Sequence, residues 1–405
     1  MQLRENPLYK RRNSFLFVRF GWKLFIKFHQ EIYANKRIKI TKKLIARLKI
    51  KKYFLSAGVS GALISRCIHG DSKIAKARRV DYSILFSYWA VLLIALDSYS
   101  DLEHIDKQRA ISANLKIAGV IIERMIRQNI LIPEIKLNSF YKWLNSYDAD
   151  LLSNEDSSMM SFITYFTEKF SDSMISCLKH EESEEIVAQN TLQIIDALMK
   201  LMNAQINSLN QSVCSEIYDW DWYSTNVLRS KFDYIFISVL KIFPQNEIQA
   251  RRINYLLEGI EAVNEIYLHR QILDDLIDFE EDIDNEIFAT PSYILMAYDL
   301  NKMNSNKEIF VSEILEKIKA SGKYTKGDFI KSWNVKNFRL CKALIRQSGI
   351  LKYFVEVIEN EKRTMEISKK ISDVMDECPE IRDCILIYFS RAVKSFKNFK
   401  KKYSI

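Results

Sequence analysis

The sequence predicts an all-α protein. Breakers are scarce: 405 residues hold only 9 Gly and 5 Pro, so few positions interrupt a helix. Hydrophobic residues make up 48% of the chain and recur at helical spacing through long Leu/Ile/Lys/Glu-rich stretches. The length exceeds the usual single domain but suits one large helical domain with extensions.

Charge divides the chain. Residues 1–52 hold sixteen Lys/Arg against two Glu, a net of +14, and residues 391–405 hold six Lys/Arg and no acid. With +9 for the whole chain, residues 53–390 carry −11. The positive charge belongs to the two ends. We therefore expect a basic N-terminal extension at 1–52, a helical core at 53–300, and C-terminal helices at 301–405 that complete or cap it.

Within the extension, FLFVRFGWKLFIKFHQEIY (15–33) mixes aromatic and aliphatic residues with Arg and Lys. A basic amphipathic helix of this kind suits an anionic membrane surface. The same pattern also fits a helix docked on the body with its cations in solvent. No nucleic-acid fold signature accompanies the charge, so nucleic acid is not an expected partner.

Breakers or polar clusters fall near 58–61, 69–71, 146–158, 244–246, 284–291 and 321–327, with helical patterns between them. The longest apolar run, ILFSYWAVLLIAL (84–96), is too short to cross a bilayer and reads as a buried helix. No secretory signal opens the sequence. The six cysteines at 67, 177, 214, 341, 378 and 384 lack zinc-ligand spacing and read as buried thiols. The expected compartment is the cytoplasm, with the basic ends as candidate membrane contacts and a homodimer as one oligomeric option.

Two acidic motifs stand out. The segment QILDDLIDFEEDID (271–284) has seven acidic residues of fourteen. On a helix, Asp274, Asp278 and Asp282 stand at i, i+4 and i+8, with Gln271 and Asp275 on adjoining rows. Like charges at that spacing destabilise a helix modestly. A solvated face tolerates them. Oxygen ligands of this kind also suit magnesium completed by substrate phosphates. The second motif, DSYSD, places Asp97 and Asp101 at i and i+4 just after the apolar run. Two such helices facing each other would clamp magnesium against a diphosphate leaving group.

QILDDLID resembles the second aspartate-rich motif of trans-isoprenyl diphosphate synthases, and the wider LHRQILDDLIDFEEDI resembles the corresponding helix of bacterial class I terpene synthases. Two further segments fall in order. AQINSL (204–209) resembles the family's Gly-Gln-x-x-Asp-Leu helix, with Gln205 as its glutamine. YSTNVLRSK (223–231) resembles the helix that carries a diphosphate-binding lysine, here Lys231. DSYSD then falls where the first aspartate-rich motif belongs. The resemblance spans roughly 66–293.

The resemblance implies a terpenoid-synthase-type helical bundle around a central apolar cavity. It also implies a cluster of about three magnesium ions and an allylic prenyl diphosphate substrate. It assigns catalysis to Asp97, Asp101, Asp274 and Asp278, with Asp275 and Asp282 as further metal ligands. Substrate contacts fall to Lys231, Gln271, Gln205 and Tyr223, with Arg391 and Lys394 as a closing lid. Aromatic rings would stabilise the carbocation, with Tyr88, Trp89, Tyr223 and Phe232 placed near the motifs.

The departures select among activities. Ser98 replaces the second aspartate of the first motif, and the Arg pair that normally follows is missing, with Lys107 and Arg109 as candidate substitutes. The upstream segment SAGVSGALISR lacks the lysine that chain-elongating members use for isopentenyl diphosphate. The expected activity is therefore a magnesium-dependent class I terpene synthase that ionises one allylic diphosphate and cyclises or quenches the cation. Prenyl chain elongation is the alternative, and a non-catalytic helical scaffold of the same fold is the second.

Overall fold

The computed structural model describes residues 23–33, 45–46, 50–69, 73–102, 107–147, 158–179, 184–209, 219–228, 248, 251–255, 258, 270–285, 287–303, 309–332, 338–360, 366, 369, 372–373 and 394–405. Within the helices, the description does not extend to the side chains of Asp97, Asp101 and Gln271. Among the described residues the chain is helical and has no β-strand. It divides into two compact units, Met1–Met199 with Ile235–Ile253, and Lys200–Tyr234 with Asn254–Ile405. The helices beyond residue 300 thus share a unit with the QILDDLID segment.

The first unit begins with α1, α-helical over 23–28 and continuing as a π-helix over His29–Tyr33. Next come α2 (Ile50–His69), α3 (Lys73–Leu102), α4 (Lys107–Arg127), α5 (Glu134–Leu144), α6 (Ser158–Leu178) and the start of α7 (Glu184–Ser208). Helix α3 is the centre of this unit and packs against α2, α4 and α6. It contains the apolar run 84–96, and most of that run is buried. The window Arg79–Leu96 is long and apolar enough to cross a membrane, but 67% of it is buried inside the protein, as in a core helix. Trp89 packs on Phe170 with centroids 4.7 Å apart, and Tyr88 meets Phe54 and Phe166 edge-on. Burying each such side chain contributes about 1.5–3 kcal/mol. Arg124 of α4 grips Asp172 of α6 with a fork of 3.0 and 2.9 Å bonds.

The glycines at 58 and 61 do not break the chain as the sequence suggested. Helix α2 runs straight through them. Their task is proximity: a Cβ at Gly61 would stand 2.7 Å from the Tyr82 carbonyl oxygen, and one at Gly58 would stand 2.4 Å from Ser87 Oγ. The missing side chains let α2 and α3 touch, and Ser87 Oγ donates across the seam to the Phe54 carbonyl at 2.8 Å.

Helix α1 docks on this unit. Leu24, Phe28 and Ile32 are buried, so the apolar stripe in the described part of segment 15–33 faces protein. Glu31, only 6% exposed, accepts from Tyr88 OH of α3 at 2.9 Å and from Tyr165 OH of α6. Lys27 Nζ sits 2.7 Å from the same carboxylate. Burial pushes this carboxyl up, but the bonds from Lys27 and Tyr165 and the Lys27 charge outweigh it and hold the group below its ordinary value.

The second unit holds α8, a turn Trp220–Tyr223 that runs into a π-turn Ser224–Leu228. It continues with α9 (Arg270–Asp284), α10 (Thr290–Asp299), α11 (Ile309–Ser321), α12 (Asp328–Ser332), α13 (Phe338–Ser348), α14 (Ile350–Ile358) and α15 (394–403). Helix α10 is buried from Thr290 to Ala297 on every face, as expected of a core helix. It packs against α8, α9 and α12. At its end the Asp299 carboxylate accepts the amides of Gly327, Phe329 and Ile330 at 2.8–3.2 Å and Tyr324 OH at 2.7 Å, which caps α12. The breaks expected near 284–291 and 321–327 are real. The cluster at 244–246 and most of 146–158 lie outside the described residues.

Two predictions follow from the packing of the first unit. Gly61→Ala should lower the unfolding midpoint, at a cost of about 1–3 kcal/mol, because a backbone oxygen blocks the new methyl. Gly119→Ala in α4, where nothing lies within 4 Å, should instead raise it by about 0.5–1 kcal/mol through helix propensity. Equal effects of the two changes in thermal unfolding would contradict the close-packing role. The second concerns Glu31. Its folded value lies below the ordinary 4.5, so its stabilisation is full above that pH and is lost as pH falls through the folded value. Glu31→Gln should cost about 1–3 kcal/mol at neutral pH and flatten the acid limb of midpoint against pH. An acid limb as steep as in the wild type would overturn the assignment.

Candidate active site

Helix α9 is the acidic segment, and its carboxylates have different environments. Ile272, Leu276, Phe279 and Ile283 form its buried face. Rows on either side of that stripe sit half in and half out of the protein, and the remaining row faces water. The acids of the segment divide among these positions.

On one flank, Glu280 and Asp284 are neutralised from within the chain. Arg346 of α13 pairs with Glu280, Lys402 of α15 stands 3.8 Å from it, and Lys342 of α13 pairs with Asp284 at 2.5 Å. Burial pushes the Glu280 carboxyl up, but Arg346, Lys402 and Lys342 outweigh it and hold it below its ordinary value. Tyr403 of α15 packs on Phe279 at 5.4 Å, beside buried Phe399.

On the other flank, Asp275 turns inward. Its Oδ2 accepts from Tyr223 OH at 2.9 Å, from the Thr290 amide at 3.0 Å and from the Thr290 hydroxyl. Ala289, the N-cap residue of α10, supplies no side-chain cap. A carboxylate from α9 therefore does the work that a cap residue normally does at a helix N-terminus. This gives Asp275 a structural task, with Oδ2 already shared by three donors. Thr290 was not singled out from the sequence, although a Thr-Pro pair opening a helix after an acidic helix is a start signal.

Tyr223 is wholly buried and stacks on Tyr293 with centroids 4.2 Å apart and planes 14° from parallel, with Trp220 against both. Burial, and then the charges of Asp275 and the half-buried Asp282, hold its phenol well above the ordinary range. Asp219 caps this turn through the Trp222 amide at 2.7 Å, and Tyr293 OH donates to the Asp219 carbonyl at 3.3 Å.

Asp274, Asp278 and Glu281 share the exposed face of α9, the two aspartates one turn apart. Two exposed oxygen donors at that spacing fit a hard divalent cation that keeps waters or takes phosphate oxygens. Among the described residues no group of three or more His, Cys, Asp or Glu gathers to hold a metal ion. Asp97 and Asp101, whose side chains fall outside that set, lie in the last turns of α3, where Tyr99 is buried. They belong to the first unit, and the α9 aspartates to the second.

Of the substrate contacts expected from the sequence, Gln205 is half-buried in the last turn of α7 and Tyr223 is bonded to Asp275. Gln271 lies on α9 with its side chain undescribed, and Lys231, Phe232 and Arg391 lie outside the described residues. Lys394 is exposed at the start of α15. Tyr88 and Trp89 are core residues of the first unit, the former bonded to Glu31.

The two kinds of aspartate should separate in unfolding experiments. Asp275→Ala strands a buried tyrosine hydroxyl and a helix N-terminus and should cost about 2–4 kcal/mol. Asp274→Ala and Asp278→Ala are exposed changes and should stay within about 0.5 kcal/mol. Denaturant unfolding of the three variants checks this, and equal losses would refute the division of roles.

Comparison of the chain with protein-family models, with curated proteins and with solved structures finds no match in any of the three.

Proposed function

We propose that the protein is a magnesium-dependent class I terpene synthase that ionises an allylic prenyl diphosphate. The observation that carries the reading is the placement of two aspartates on α9. Asp275 turns inward to a helix cap, while Asp274 and Asp278 are exposed one turn apart. Carboxylate oxygens at that spacing suit a hard divalent cation completed by phosphate oxygens.

In this reading Asp274 and Asp278 hold the metal, and Asp282 supports them from the Tyr223 side. Bound magnesium supplies the Lewis acid that draws off diphosphate as a leaving group. Asp275 sets the rotation of α9 and so the direction of its neighbours. Lys231, Gln271 and Gln205 hold the diphosphate, and Arg391 and Lys394 close over it. Aromatic faces stabilise the cation that remains in a water-free site. The glycines of SAGVSGALISR serve helix packing, and no lysine stands among them for a second diphosphate. This favours ionisation of one substrate over condensation of two.

The test is diphosphate release with magnesium and allylic diphosphates of increasing length, each with and without isopentenyl diphosphate, with extraction of products. Release without isopentenyl diphosphate, together with a hydrocarbon or alcohol product, is expected. Asp274→Ala and Asp278→Ala should abolish it with helicity unchanged. Turnover that requires isopentenyl diphosphate would replace the reading with chain elongation. No release from any substrate would leave a non-catalytic scaffold.

A further inference from the structure

Helix α1 has a second face. The inner one, with Leu24, Phe28 and Ile32, is consumed by docking, and Glu31 locks it. Along the outer edge stand Lys23, Gln30 and two apolar residues that water still reaches, Ile26 at 42% exposure and Tyr33 at 43%. Between α1 and α3 lies a cleft of about 180 Å³. Its walls are Leu24 and Ile26 of α1 and Val80 and Ile84 of α3, and Lys23 and Lys27 stand among its lining residues. The one hydroxyl contributed by α3, Ser83, donates to the Arg79 carbonyl at 2.7 Å. The walls therefore favour hydrocarbon over water.

We propose that this cleft receives one acyl chain of an anionic membrane lipid, with the head group on Lys23. The volume is below the roughly 300–1,000 Å³ of sites that enclose whole small molecules, and a single chain segment is the ligand it suits. Charge selects the head group. The first 52 residues carry +14, and a cytoplasmic leaflet rich in acidic lipid attracts such a segment. Ile26 and Tyr33 on the same edge select a membrane over a free amphiphile, because they would enter the interface beside the bound lipid. This contact uses the edge of α1 that docking leaves open. It is independent of the catalytic reading.

The experiment is co-sedimentation of the full-length protein with vesicles of phosphatidylcholine alone or mixed with phosphatidylserine. Three variants accompany the wild type: Ile84→Trp to fill the cleft, Lys23→Glu to reverse a lining charge without touching the Glu31 lock, and Ile26→Glu on the exposed edge. Thermal midpoints confirm that each is folded. Salt-sensitive binding to the mixed vesicles is expected, weakened about tenfold by Lys23→Glu and several-fold by each of the other two. Undiminished binding by all folded variants would show that basic charge elsewhere carries the contact, and would overturn the cleft. So would no binding to mixed vesicles. Binding of dodecyl phosphate in solution without any vesicle binding would overturn the membrane as its source.

Discussion

The candidate site depends on one inward-facing carboxylate. Asp275 joins three helices of the second unit: it belongs to α9, caps α10 through Thr290, and holds Tyr223 of α8. A helix has little freedom of rotation once one residue is pinned, because each position follows at about 100° from the last. With Asp275 turned in beside the buried face, Glu280 and Asp284 fall on the flank that meets α13, and Asp274 and Asp278 fall on the water side. The buried tyrosine hydroxyl and the helix N-terminus could not stay dry without an acceptor, so fold and site share a single solution.

The same logic accounts for part of the charge division. The basic C-terminal end is used within the chain: α15 places Lys402 by Glu280 and Lys400 on Glu359 at 2.7 Å, while Phe396 and Phe399 are buried. At the other end Lys27 serves the buried Glu31. The exposed pairs of α15 contribute little stability singly. Their effect is on placement, since each cation is next to an apolar anchor that fixes where it lies. Among the described residues, the terminal cations thus divide into those tied to specific acids and those on the surface, such as Lys23 and Lys394.

The helical class was legible in the sequence because breakers are so few, and the buried nature of 84–96 because so long an apolar run has no polar face to turn to water. The row of aspartates on α9 was legible from spacing alone. Two things were not. Gly58 and Gly61 read as breakers because local propensity says so, yet in α2 they are contact points with α3; a tertiary approach overrode the propensity. The separate roles of Asp274 and Asp275 were hidden as well, because adjacent residues of the same type differ only in which neighbour they meet. Tyr223 and Thr290 lie 52 and 15 residues away from Asp275, and no local pattern announces such partners. Glu31 was lost for the same reason: one acid in a basic segment reads as noise until Tyr88 and Tyr165 are seen on it.

What distinguishes Asp274 and Asp278 is therefore the helix that carries them. Any one acid on a solvated helix needs no special account. Here the flanking acids are held by contacts that also hold the fold together. A helix anchored by the Asp275 cap, two ion-pair partners from α13 and a tyrosine of α15 tilted against Phe279 holds its exposed positions in place. The anchoring makes the exposed pair a rigid feature. Rigidity is what a divalent cation needs in order to be held in one place. The same two residues on a loosely held helix would be only a charged surface.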